Sequence, residues 1–190
     1  MSLNYAVLGF LSFKSLSGYE LKKAFDQSVQ HFWPADQSQI YRTLSQLMEQ
    51  GLVAQEVLPR EDRLDKKLYH ITEDGRSELH QWLAEPLAER PFREPFLIQI
   101  FFSGLLSDQE VLVLLQHELE LIEARLQIYE SMIANANAVM EASPDRRATF
   151  YSSLTLEFGL ESDRAYASWL QGVIQRVNQG NYSLNSWSES

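Results

Sequence analysis

The sequence of 190 residues contains no cysteine. This absence excludes disulfide bonds, thiolate metal ligands and cysteine nucleophiles, and it is compatible with a cytoplasmic protein. The longest apolar runs, such as residues 96–102, are much too short to cross a bilayer. Residues 1–5 carry no basic side chain, so we expect neither a signal peptide nor a membrane partner.

Catalytic signatures are missing as well. His117 and Glu118 begin a pattern like the zinc-protease motif H-E-x-x-H, but Leu121 occupies the position of the second histidine. The other histidines lie far apart in sequence, and no nucleophile elbow or glycine-rich phosphate loop occurs. We therefore expect a protein that is not an enzyme and needs no metal or cofactor.

Lysine is scarce, and its distribution is uneven. The formal net charge is −10, yet all five lysines lie within residues 1–67. Residues 1–85 carry a net charge of −3, whereas residues 86–190 carry −7. Charges are screened over about 8 Å at physiological salt, so an acidic second half need not repel a polyanion from the first half. The local patch of charge therefore decides the partner.

Proline marks a boundary between two predicted domains. Three of the six prolines lie in residues 86–95, and each of them interrupts a helix. We predict an N-terminal domain over residues 1–85, a linker over 86–95 and a helical domain over 96–178. The remaining residues, 179–190, are rich in Asn, Ser and Gly and are predicted to be a disordered tail.

Capping residues predict the helices of the N-terminal half. Residues 3–13 are apolar nearly all round, which is typical of a buried helix. Ser17 with Glu20, and Asp36 with Gln39, have the spacing of capping boxes. In such a box the two side chains each satisfy a backbone amide that lacks a helical partner. Second and third helices are therefore predicted to begin at these residues.

Turn residues and alternation complete the pattern. Pro34 is predicted to end the second helix, and Gly51 the third. Residues 52–58 and 66–72 read as two strands joined by a polar turn, and Thr72 caps a fourth helix. Three helices, a hairpin and a further helix make a winged helix-turn-helix, so the predicted fold is mainly α.

The third predicted helix carries a polar face without acidic residues. Ile40, Leu44 and either Leu47 or Met48 form its predicted buried stripe, and no acidic side chain occurs between Asp36 and Glu49. Amide, hydroxyl and guanidinium groups on such a face read base edges or bind phosphate, although a solvated surface is the alternative. The residues of this face are Gln37, Ser38, Tyr41, Arg42 and Ser45.

The second half is predicted to be helical throughout, with a short apolar helix over residues 93–106. A long helix over residues 108–140 would span roughly 50 Å. Its apolar residues recur every three or four positions, the heptad pattern of a coiled coil. We infer that this seam packs against a second subunit, and that part of it closes on the last helix of the same chain. The seam includes Leu112, Leu115, Leu119, Ile122, Leu126, Tyr129 and Ile133.

The last helix is predicted to restart after a short break. Ser143 is the predicted N-cap, and Pro144 takes the first helical position, where a missing amide costs nothing. Its predicted inner stripe comprises Tyr151, Leu154, Phe158, Ala165, Trp169 and Val173.

Several segments together resemble the PadR family of transcription regulators. Gln39–Leu44 resembles the family's recognition helix, and Lys67–Gly75 its second wing strand and exit. Val7–Leu11 and Ser17–Leu21 match its opening. This resemblance covers about residues 3–85. The C-terminal half looks like the longer helical domain of the subgroup that includes virulence-type activators.

The resemblance implies a homodimeric regulator, usually a repressor, that binds double-stranded DNA at a pseudo-palindromic operator. The third helix would enter the major groove, and the wing would touch the backbone or minor groove. Some family members are released from DNA by small phenolic or other aromatic compounds, which makes a small-molecule effector a candidate partner, although no motif in this sequence assigns such a ligand. The alternatives are a transcription activator or a winged-helix module that binds another protein.

The resemblance also assigns residues to the predicted DNA contact. The polar face of the third helix would meet the major groove. Alternatives are that Tyr19 belongs to the core and that Lys22 and Lys23 are solvated helix charges. The strand lysines could also only protect a sheet edge, where Lys67 could pair with Asp65 or Glu56. Glu61, Asp62 and Asp65 make the predicted wing tip less basic. Phosphate contacts are expected from Tyr19, Lys22 and Lys23, and wing contacts from Arg60, Arg63, Lys66 and Lys67.

Overall fold

The computed structural model describes residues 2–59, 65–89 and 92–184, without the side chains of residues 135–142. The chain forms two compact units, Met1–Arg90 and Pro91–Ser190. It is mainly helical, as the sequence predicts, and its described residues contain one sheet, of two strands. In the described part of the chain, no helix is long and apolar enough to cross a membrane.

The N-terminal unit has the predicted order of helices and strands. Its two strands pair antiparallel, with Val53 opposite Ile71 and Leu58 opposite Lys66. This order and pairing confirm the winged helix-turn-helix. The elements are α1 (Ser2–Phe13), α2 (Gly18–Ser28), α3 (Gln37–Glu49), β1 (Val53–Leu58), β2 (Lys66–Ile71) and α4 (Glu73–Ala84).

One core holds the three helices and the hairpin together. The predicted stripe of α3 is fully buried, and each such side chain contributes about 1.5–3 kcal/mol by leaving water. Leu16 and Tyr69 exchange two backbone hydrogen bonds, of 3.1 and 2.9 Å, which hold the segment before α2 beside β2. Buried members of this core include Val7, Leu8, Leu11, Leu21, Phe25, Ile40, Leu44 and Leu47.

The end of α2 differs from the prediction. The helix ends at Ser28 rather than at Pro34, and Phe32 is exposed outside it. The amides of Val29 and Gln30 both donate to the Phe25 carbonyl, each at 3.1 Å. This shared acceptor breaks the regular hydrogen-bond ladder, so the chain continues in turns before the proline is reached.

The C-terminal unit is built on two long helices that run antiparallel. Its elements are α5 (Pro95–Phe102), a short 3-10 turn (Ser103–Leu105), α6 (Asp108–Ala142) and α7 (Arg146–Asn178). The predicted short helix therefore begins at Pro95, capped by Glu94, and not at Arg93. Phe96, Leu115, Ile122, Ala167 and Leu170 form the centre of the core.

The heptad seam of α6 is covered to a large extent within its own chain. Leu112, Leu115, Ile122 and Tyr129 are buried. Leu119, Leu126 and Ile133 are half-buried, and the first two pack against the same core. The alternative of closure on the last helix accounts for this burial. Contact of these seven residues with a second subunit stays a prediction.

The inner stripe of α7 was predicted wrongly at four of its six positions, whereas Val173 packs against the core and Leu154 is half-buried. Phe158 and Trp169 lie on exposed positions, and Leu160, Asp163, Ala167 and Leu170 are buried instead. Asp163 can be buried because Arg125 of α6 donates two hydrogen bonds to its carboxylate, at 2.5 and 2.7 Å. Apolar periodicity does not reveal a stripe that contains a charged residue. The other misassigned positions are Tyr151 and Ala165, which are also exposed.

Both ends of α7 also differ from expectation. Its N-cap is Asp145 and not Ser143, because the Asp145 carboxylate accepts the Ala148 amide at 2.9 Å. Residues 179–184 belong to the predicted disordered tail, yet the Tyr182 hydroxyl donates to Asp108 at 2.6 Å. Residues 185–190 of that predicted tail lie outside the described part of the chain.

Candidate nucleic-acid interface

The polar face of α3 is open to solvent. All five residues predicted to face a duplex are exposed on it: Gln37, Ser38, Tyr41, Arg42 and Ser45. The capping box fixes the start of this helix, since Asp36 accepts the Gln39 amide at 2.7 Å and Gln39 accepts the Asp36 amide at 2.8 Å. The face is therefore presented by a rigid helix whose other side is held in the core.

Two of these side chains lie back along the helix. The Arg42 Nε donates to the Ser38 carbonyl at 3.3 Å, and the Ser45 hydroxyl donates to the Tyr41 carbonyl at 3.1 Å. These bonds leave the terminal guanidinium nitrogens of Arg42 without a partner among the described residues. Its outer edge has the paired donors that guanine or phosphate accepts.

Beside this face lies a concave pocket with a volume of about 550 Å³, which we call the α2–wing concavity. The start of α2, α3 and β2 each contribute to it, so residues distant in sequence meet there. It contains three lysines and two carboxylates, together with three tyrosines. Its lining residues are Ser17, Gly18, Tyr19, Glu20, Lys23, Tyr41, Asp65, Lys66, Lys67 and Tyr69.

The tyrosines of the α2–wing concavity have different environments. Tyr19 is 69% exposed, which excludes the alternative that it belongs to the core, and Tyr41 is 40% exposed. Tyr69 is buried, and burial followed by the nearby Tyr41 raises the pKa of its phenol. Tyr19 and Tyr41 thus offer hydroxyl groups to a ligand, whereas Tyr69 forms the floor.

The predicted lysines divide into paired and unpaired groups. The Lys66 ammonium lies 2.7 Å from Glu20 Oε1, and Lys22 pairs with Asp26 outside the concavity. Lys23 and Lys67 have no ion-pair partner among the described residues, so Lys67 pairs with neither Asp65 nor Glu56. The unpaired lysines keep their full charge available for phosphate.

The tip of the wing, the turn between β1 and β2, includes the predicted contacts Arg60 and Arg63. These two residues lie outside the described part of the chain, together with Glu61 and Asp62. The described part of the wing begins again at Asp65, which lines the concavity.

Sequence reasoning did not assign five of the lining residues to this surface: Ser17, Gly18, Glu20, Asp65 and Tyr69. Glu20 was recognised only as a helix cap. Its pKa is lowered to about 2 by hydrogen bonds from Lys66, and then from the Ser17 amide and hydroxyl. A cap uses one carboxylate oxygen, so the free second oxygen was a signal that a cation could pair there.

Comparison with known proteins agrees with this arrangement. A family model described as transcriptional regulator PadR-like family matches residues 7–81, and one described as virulence activator alpha C-term matches residues 92–178. The chain is 33% identical to the negative transcriptional regulator PadR of Bacillus subtilis over 183 residues, which cover 93% of this chain and 98% of that protein. The chain belongs to the PadR-like family.

Solved structures of PadR-like proteins share the fold along nearly the whole chain. B. subtilis PadR in complex with operator DNA matches with a TM-score of 0.81 and 30% identity, covering 93% of this chain and 99% of that one. The same regulator in complex with p-coumaric acid matches with a TM-score of 0.77 and 29% identity, covering 93% of this chain and 95% of that one. The Vibrio cholerae virulence activator AphA matches with a TM-score of 0.77 and 27% identity, covering 94% of this chain and 99% of that one.

Proposed function

We propose that this PadR-like chain is a dimeric, sequence-specific DNA-binding repressor that acts in the cytoplasm. The observation that carries the proposal is the exposed, acid-free face of α3 beside the lysine-bearing α2–wing concavity. Similarity to a regulator solved with operator DNA supports it. A solvated surface would not require tyrosines and lysines from three elements to converge beside one helix face.

The geometry favours a division of labour on the duplex. The α3 residues would read base edges in the major groove, where Arg42 has the donors for guanine. Tyr19, Lys23, Lys66 and Lys67 would contact phosphates, which fix the register of α3 without reading sequence. Lys22 would contribute less to phosphate contact than the unpaired lysines, since it forms an ion pair with Asp26.

A DNA-binding assay tests this proposal directly. A duplex taken from the region upstream of the chain's own gene is titrated with the protein at several salt concentrations, beside a random duplex of equal length. We expect preference for the upstream duplex and a steep fall of affinity with salt, because lysines displace counterions from phosphates. Absence of binding to every duplex at low salt would contradict the proposal.

Repression is proposed rather than activation because the relative that matches along nearly its whole length is a negative regulator. The structural similarity to a virulence activator keeps activation as the second candidate. A reporter gene placed behind the bound promoter separates the two. Deleting the regulator raises expression if it represses and lowers expression if it activates.

We also propose that a small aromatic acid acts as effector, because a relative of similar structure has been solved with p-coumaric acid. Titrating p-coumaric acid into the preformed protein–DNA complex tests this. Release of the duplex at a concentration of p-coumaric acid that saturates the protein supports the proposal. A parallel titration with benzoic acid shows whether a shorter aromatic acid has the same effect. An unchanged complex in both titrations would contradict an aromatic effector.

The dimer is proposed to involve α5 as well as the seam of α6. Residues 95–107 contain no charged side chain, and Phe101 is 80% exposed. Phe96 of the same helix is buried in the intrachain core, so the exposed side continues an established apolar surface. A patch of this kind on a soluble protein marks a contact with another chain. The other exposed large apolar side chains of residues 95–107 are Leu97, Ile98, Phe102, Leu105 and Leu106.

The dimer proposal can be tested by light scattering after size exclusion. Phe101→Ser should shift the population from dimer toward monomer, because it removes a large apolar side chain from the proposed contact. Gln99→Ser, also exposed on α5, is the matched control and should remain dimeric. A monomeric wild-type protein would contradict the proposal.

Two such subunits would read two half-sites of the operator, whose centres would lie roughly 34–36 Å apart or a multiple of that distance.

A further inference from the structure

Glu20 connects the start of α2 to the wing through both of its carboxylate oxygens. Oε2 accepts the Ser17 amide at 2.8 Å and the Ser17 hydroxyl at 2.7 Å, which is the capping box of α2. Oε1 accepts the Lys66 ammonium at 2.7 Å. The cap fixes the Glu20 side chain, and the fixed carboxylate in turn fixes the ammonium at the first residue of β2.

This restraint distinguishes Lys66 from the other lysines of the α2–wing concavity. Lys23 and Lys67 are exposed and have no ion-pair partner among the described residues. The Lys66 side chain is only 27% exposed, and the backbone bridge between Leu16 and Tyr69 keeps α2 beside β2. Lys66 is therefore restrained by an ion pair that Lys23 and Lys67 lack among the described residues.

We infer that Glu20 is a positioning residue for DNA recognition, holding Lys66 where only a correctly docked duplex brings a phosphate to it. The inference rests on the proposed DNA-binding function. A mobile lysine finds a phosphate on any duplex, so it raises specific and non-specific affinity alike. A lysine that is restrained and partly neutralised by Glu20 gains little from a misplaced duplex. Glu20 thereby contributes to specificity although it carries the same charge as DNA.

Glu20→Gln tests the inference because glutamine retains the capping-box acceptor but not the charge. Two duplexes of equal length are used, the upstream duplex that the wild type prefers and a random one. We expect affinity for the random duplex to rise about fivefold at 0.1 M salt, and the salt slope to steepen by about one, since one more phosphate contact becomes available. Affinity for the preferred duplex should rise less than twofold.

Two further variants exclude a general charge effect and a folding effect. Glu73→Gln removes an exposed carboxylate from the first turn of α4 and should change both affinities equally and slightly. In a Lys66→Gln background, Glu20→Gln should no longer alter the ratio of the two affinities. Thermal unfolding measured for each variant checks that the fold is retained.

The possible outcomes separate this inference from the proposed function. An equal rise on both duplexes, or an unchanged salt slope, would overturn the positioning role while the wild type still binds DNA. An effect of Glu20→Gln that persists in the Lys66→Gln background would overturn it too. A wild-type protein that binds no duplex overturns both proposals.

Discussion

The phenol ring of Tyr41 on α3 packs against Gly18, the first residue of α2. A Cβ added at Gly18 would lie 2.5 Å from Tyr41 Cε1 and 2.8 Å from its hydroxyl oxygen. A side chain at this position would have to displace the Tyr41 ring, so the glycine lets α3 approach the start of α2. The position of the Tyr41 hydroxyl in the α2–wing concavity depends on this contact.

Gly18→Ala should therefore weaken operator binding by about tenfold or more, with little loss of folding stability. The methyl group must displace the Tyr41 ring, which is the movable end of a side chain, and alanine is tolerated in a helix. Fluorescence anisotropy with the preferred duplex gives the affinity, and thermal unfolding gives the stability. Gly9→Ala is the matched control, because a Cβ at Gly9 meets nothing within 4 Å. Equal affinities for the two variants would argue against the packing role.

Arg42→Ala should lower the affinity for the preferred duplex by about 1–3 kcal/mol if the guanidinium pairs with a guanine. The loss should concentrate at one base position, which binding to a set of single-base variants of that duplex reveals. Gln46→Ala, also exposed on α3, compares a neighbouring side chain outside the predicted set. An operator preference unchanged by Arg42→Ala would remove this residue from the base-reading group.

The ion pair of Arg125 with Asp163 should respond unequally to loss of its two partners. The Asp163 side chain is 10% exposed and that of Arg125 46% exposed. Arg125→Met leaves a buried carboxylate without its cation and should cost about 3 kcal/mol of unfolding free energy. Asp163→Asn leaves a half-exposed guanidinium that water solvates, and should cost about 1 kcal/mol. Urea unfolding at pH 7 measures both, and equal losses would refute the asymmetry.

Glu20 should make stability depend on acid pH. Its pKa in the folded chain is about 2, below the ordinary value of 4.5, chiefly because Lys66 donates to the carboxylate. A lowered pKa contributes stability that is complete above pH 4.5 and is lost as the pH falls toward 2. The stability difference between wild type and Glu20→Gln should therefore shrink between pH 6 and pH 3. The carboxylate is 41% exposed, so solvent screening keeps this contribution small.

Urea unfolding at several pH values measures this difference. Glu73→Gln serves as the control for the loss of an exposed carboxylate, since Glu73 has no ion pair among the described residues. A difference for Glu20→Gln that is constant from pH 6 to pH 3 would show that the pair with Lys66 is not formed in solution.

Local signals determined the elements of this protein. Ser17 with Glu20 and Asp36 with Gln39 predicted the starts of α2 and α3, because a capping box involves only residues three apart. The helical period of about 3.6 residues predicted the buried stripe of α3. The same period predicted that its opposite face carries no acidic residue. These features depend on neighbours along the chain, so the printed sequence contains them.

Only the tertiary structure decided which residues distant in sequence meet. Lys66 lies against Glu20, and Asp163 is buried because Arg125 reaches it from another helix. Apolar periodicity placed Phe158 and Trp169 in the core because it takes no account of the partner of Asp163. The same periodicity could not tell whether the α6 seam packs within one chain or against a second subunit. A charge becomes tolerable in a core, and a lysine becomes restrained, only through a partner that folding brings near. Composition and spacing do not encode that proximity.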